Sequence, residues 1–148
     1  MQPRPRLKLR RPKFRLADSA QQIVGGFLLA GPFVVTEEVW TLAGSMSDLQ
    51  GILTVTIVSL IGYAALYRAD TKRDPDSEQQ VAGIPIRFIS LLVVSFGSVA
   101  ILALVFDAPA TFLGDELSTP VLVETTFKAI SVGSVFSVVG AATADSVL

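Results

Sequence analysis

Polar and apolar positions in this chain come in blocks. They do not alternate with the period of a half-wet strand or helix. Four blocks are long enough to matter, at roughly 23–42, 49–67, 88–106 and 121–144. A helix rising about 1.5 Å per residue needs roughly 20 residues to cross the hydrocarbon of a bilayer, so each block predicts a transmembrane helix. The third, "FISLLVVSFGSVAILALVF", is rich in residues that favour strands in water. In lipid, the need to bond every backbone group within the segment makes it a helix. The expected fold class is therefore all-α: a polytopic four-transmembrane-helix bundle over residues 19–148, preceded by a basic tail over 1–18.

One block is interrupted. In "GPFVVTEEVW", Glu37 and Glu38 follow eighteen uncharged positions, Ser19 to Thr36, and apolar sequence resumes after them. Both fall inside the predicted first span. The fourth block opens with Glu124 and Lys128 before "AISVGSVFSVVGAATA".

Composition agrees with the blocks. The chain has 148 residues, of which 51% are hydrophobic and 17% charged, outside the range of ordinary soluble domains. It lacks cysteine and histidine. That excludes disulfides, thiolate or imidazole metal sites and histidine-based acid–base chemistry, and leaves titration to Asp, Glu, Lys and Tyr. No cofactor is expected.

The cations set the orientation. Arg4, Arg6, Lys8, Arg10, Arg11, Lys13 and Arg15 precede the first block, and Arg68, Lys72, Arg73 and Arg87 lie between the second and third. These are eleven of the twelve basic residues. The other two loops carry Asp48, Asp107, Asp115 and Glu116 instead. By the positive-inside rule both termini face the cytoplasm, as expected of a multi-pass protein of the cell membrane. The tail reads as a basic arm near the inner leaflet, not as a nucleic-acid-binding element. A cleaved signal peptide ending near "LAGS" has the right outline, but the two glutamates and three further spans argue against it.

With Trp40 and Tyr67 as aromatic anchors at the interfaces, Glu37, Glu38, Glu124 and Lys128 are expected in one layer just below the outer surface. Glu124 and Lys128 are spaced i, i+4 and can pair, leaving one glutamate of the first span to reach Lys128 and the other to face an interface or a water-filled path. A carboxylate inside the hydrocarbon costs about 2.5–3.5 kcal/mol even on the lenient insertion scale. Three carboxylates against one ammonium therefore point to a held proton or an attracted cation. The alternative is a set of interfacial side chains snorkelling to water.

Small residues predict close helix packing. Gly25, Gly26 and Gly31 precede Pro32, a candidate hinge, and Gly133, Ser137 and Ala141 recur every four residues on the fourth block. Such faces serve either packing within one bundle or contact between copies in a homo-oligomer.

"GGFLLAGPFVVTEEVWTLAGSM" and "FKAISVGSVFSVVGAA" together resemble a family of archaeal and bacterial integral membrane proteins catalogued only as a domain of unknown function. The resemblance implies a multi-span helical membrane protein and directs attention to Thr36, Glu37, Glu38 and Trp40. It implies no substrate. The expected function is an oligomeric channel or small transporter for a cation or proton; the alternative is a non-conducting accessory or scaffold subunit, and a third reading is an intramembrane enzyme. The last is the weakest, because no Ser-Lys, Asp-Asp or metal-ligand spacing is present.

Overall fold

The computed structural model describes residues 14–68 and 73–147. Its helices are α1 (Leu16–Val34), α2 (Glu37–Ser45), α3 (Asp48–Tyr67), α4 (Ile86–Val105), α5 (Ala108–Leu113) and α6 (Thr119–Val147). Between α3 and α4 lie a single 3-10 turn, Pro75–Ser77, and a two-residue antiparallel hairpin of β1 (Gln80–Val81) with β2 (Ile84–Pro85). The expected basic tail falls largely outside the described residues.

Three helices, α3, α4 and α6, are long and apolar enough to cross a membrane, and the protein is accordingly an integral membrane protein. Their bounds differ by at most three residues from those read in the sequence, and the end of α3 at Tyr67 coincides. The start of α3 is encoded locally: Ser47 Oγ accepts from the Gln50 amide at 3.2 Å, and Gln50 Oε1 accepts from the Ser47 amide at 2.8 Å, a reciprocal cap.

The first block is not the continuous helix expected over 23–42. α1 stops at Val34, and α2 leaves it at 79°. Pro32 lies two residues before that stop and has no N–H for the carbonyl one turn back. The break is then bonded from the side. Thr36 Oγ1 donates to the Phe33 carbonyl at 2.8 Å, and Trp40 Nε1 donates to the Val34 carbonyl at 2.9 Å. Breaks inside apolar helices persist where side chains re-satisfy the freed backbone in this way. The pair α1 and α2 makes a further span only if the two are counted as one.

α6 is the axis of the bundle. It packs along α1 and against α2, α3 and α4. Its inner faces carry Ala129, Ser131, Gly133, Ser134, Ser137, Gly140, Ala141 and Ala142, all buried. A Cβ placed on Gly25 would overlap the Gly140 carbonyl, and one on Gly140 would overlap the Gly25 carbonyl. Ser137 Oγ bonds the Gly26 carbonyl at 3.0 Å, and a Cβ on Gly133 would come within 2.8 Å of Val99. The small-residue faces are thus engaged inside one chain. Among the small residues singled out in the sequence, Gly31 is loosest, with only Leu102 near a notional Cβ, at 3.8 Å.

Two apolar clusters occupy opposite ends. One gathers Val34, Trp40, Val99, Ala103 and Ala129 around the α1–α2 break, and the other gathers Val58, Leu66, Leu91, Val138 and Ala141 where α3 ends. Phe33 and Phe136 stack at 3.7 Å between α1 and α6.

Candidate functional site

The acidic pair that interrupts the first block lies past the end of α1, beyond the break. Glu37 and Glu38 form the first turn of α2, where unpaired N–H groups and the positive end of the helix favour carboxylates, and both are exposed. Within the described residues neither has a hydrogen-bond or ion-pair partner. With Thr41, Leu42 and Ser45 they line an open hollow of about 500 Å³. Their expected burial is therefore corrected for the single chain: the helix ends before it reaches them.

Lys128 is buried, and it does not reach either glutamate. Its Nζ donates to Glu124 Oε1 at 2.7 Å and to the Met46 carbonyl at 2.8 Å, and it pairs with Asp48 Oδ1 at 3.1 Å. Three acceptors match the three N–H bonds of an ammonium. The pairing of Glu124 with Lys128 follows the i, i+4 spacing, whereas Asp48 and Met46 come from the turn entering α3, which the sequence could not place. The side chain of Glu124 is 50% exposed and that of Asp48 81%.

The two aromatic anchors are also reassigned. Trp40 is 1% exposed because its indole bonds the broken end of α1 and its ring faces Phe112, with centroids 6.2 Å apart. Tyr67 is buried because its hydroxyl donates to Glu78 Oε2 at 2.6 Å. Both use their polar tips within the fold and not at a headgroup.

The largest assembly of polar groups was not foreseen. It sits where α1 and α4 begin and where α3 and α6 end. Arg87, in the first turn of α4, donates through Nη1 to Asp145 of α6 at 2.6 Å and through Nε to Glu78 at 3.1 Å, and Nη2 stands 3.5 Å from Asp18 of α1. Gln22 donates to the other oxygen of Asp145 at 3.0 Å and accepts from Ser90 at 2.7 Å. Arg73 donates to the Asp145 carbonyl and to Ser146 Oγ, both at 3.0 Å. The guanidinium of Arg87 lies 5.2 Å from the centre of the Phe14 ring.

Three carboxylates thus share two guanidinia, and the Asp145 side chain is 0% exposed. Charged bonds of this kind, away from bulk water, are strong when every member is satisfied. They are: among the described residues no buried side-chain nitrogen or oxygen lacks a partner. The sequence signal was faint, since the bonded residues lie 9 to 123 positions apart. In the sequence Arg73 and Arg87 stand out only as cations that set the orientation.

Chemically, this network holds four helices and the α3–α4 connection in one register. Among the described residues no group of three or more acidic side chains is placed to hold a metal ion. Compared with family models, with curated proteins and with solved structures, the chain matches none.

Proposed function

We propose that the protein is a multi-pass subunit of the cell membrane that serves as a non-conducting accessory or scaffold. In this reading α1 with α2 forms a bent first span, α3, α4 and α6 complete a four-span bundle, and both ends of the chain lie in the cytoplasm. The orientation is supported by the eleven cations that flank the end where α1 begins. The observation that carries the functional reading is the use of the small and polar residues for internal contact. Gly25 and Gly140 meet backbone to backbone, Ser137 bonds Gly26, and Arg87, Asp145 and Gln22 bond one another. Groups engaged this way hold helices together and are not poised along a path for ions.

A second reading, an oligomer that handles a cation or proton, is favoured by one feature. Glu37 and Glu38 point outward beside Thr41 and Ser45, where a second copy of the chain could bring further carboxylates alongside. Flux measurements separate the two. The purified protein in vesicles is expected to pass protons, Na+ and K+ no faster than protein-free vesicles do. A flux that disappears in the Glu37→Gln, Glu38→Gln variant would overturn the scaffold reading in favour of the oligomeric one.

A further inference from the structure

Between the first halves of α3 and α6 lies a groove of about 560 Å³, walled by Ile52, Val55, Val123 and Phe127. Its volume falls within the roughly 300–1,000 Å³ typical of ligand clefts. Both walls belong to helices long and apolar enough to cross a membrane, so in a bilayer the groove would open toward lipid chains.

One end of the groove is charged. Asp48 is the first residue of α3 and Glu124 lies in the second turn of α6, so this mouth sits at the level where helices leave the hydrocarbon. The only cation there, among the described residues, is Lys128, whose three N–H bonds are already directed to Glu124, Asp48 and the Met46 carbonyl. Two carboxylates against one ammonium leave one negative charge and exposed oxygen lone pairs. A phosphate would meet acceptors and no free donor, and a hydroxyl could donate but would bring no positive charge. A quaternary ammonium would bring charge without an N–H. A primary ammonium brings both, and charge-assisted N–H···O bonds exceed neutral ones in strength.

We propose that this groove binds one phospholipid, its acyl chain lying between α3 and α6 and its primary-amine headgroup held by Asp48 and Glu124. The inference goes beyond the scaffold reading and does not depend on it, since a conducting oligomer would present the same groove.

The test uses the full chain in nanodiscs containing equal amounts of ethanolamine, choline and glycerol phospholipids of one chain composition. Native mass spectrometry then reads which lipid stays bound. One retained ethanolamine lipid is expected, favoured about tenfold over the choline lipid, as one additional charge-assisted bond would supply. Asp48→Asn removes the surplus charge while Lys128 keeps Glu124 and Met46, and it should bring the preference close to unity. Val55→Trp fills the groove and should remove the retained lipid whatever its headgroup. Asp115→Asn removes a charge from the exposed loop before α6 and should leave the preference unchanged. Retention without regard to headgroup, no retention at all, or equal effects of Asp48→Asn and Asp115→Asn would each overturn the proposal.

Discussion

Arg87 bonds Asp145 and Glu78 and closes on Asp18, while Gln22 and Tyr67 donate to the second oxygens of Asp145 and Glu78. Removing one partner of a buried ion pair leaves the other charged and unsolvated, at a cost of about 3–5 kcal/mol. Arg87→Leu is therefore expected to lower stability by that order, read as a shift in the midpoint of denaturant unfolding in mild detergent. Arg87→Lys should lose less, since an ammonium keeps one strong bond although it cannot reach three carboxylates as a planar fork does. If Arg87→Leu unfolds at the same midpoint as the parent, the network does not hold the helices. Little of this site was legible beforehand. Asp145 ends an apolar block and Arg87 begins another, and nothing local marks the two as neighbours. Lys128 and Glu124 were legible, because a helix places residues four apart on one face whatever surrounds it.

At the scale of elements, the decisive contact is that of α1 with α6. Gly25 and Gly140 face each other so closely that a methyl group on either would overlap a carbonyl oxygen of the other helix. Without a hydrophobic drive between helices in lipid, such backbone approach is a main source of association. Gly25→Ala should force the helices apart and cost about 1–3 kcal/mol, as overpacking does. Gly97→Ala on α4 is the control: nothing lies within 4 Å of its notional Cβ, and replacing a mid-helix glycine should stabilise by about 0.5–1 kcal/mol. Unfolding midpoints of the two variants should move in opposite directions, and equal shifts would remove the backbone contact as the cause. The recurrence of small residues announced a close contact, but not its partner. A small-residue face fits another span of the same chain or a second copy equally well, and only the structure shows Gly25, Gly26, Gly133 and Ser137 meeting partners within the chain. The end of α1 was half legible. Pro32 announced a change of direction, whereas the 79° bend depends on Trp40 returning to bond the Val34 carbonyl, a contact between elements.

At the scale of the molecule, orientation can be tested directly because the chain has no cysteine of its own. Single variants Asp76→Cys, in the 3-10 turn, and Asp115→Cys, before α6, place exposed thiols at opposite ends of the bundle. In intact cells an impermeant maleimide should label Asp115→Cys and reach Asp76→Cys only after lysis. The reverse pattern would invert the topology, and labelling of both in intact cells would contradict the single crossing, α4, between the two positions. What the sequence determined by itself was the solvent each segment prefers: an uncharged block of about twenty residues leaves water and forms a helix, because lipid offers its backbone no other bonding partner. The segregated cations make the orientation an expectation for a similarly local reason. The tertiary structure alone decided which charges meet across helices, which glycines touch and that Glu37 and Glu38 lie beyond the end of α1. Those outcomes depend on distances of a few ångströms between residues far apart in the chain, and neither hydropathy nor spacing encodes such distances.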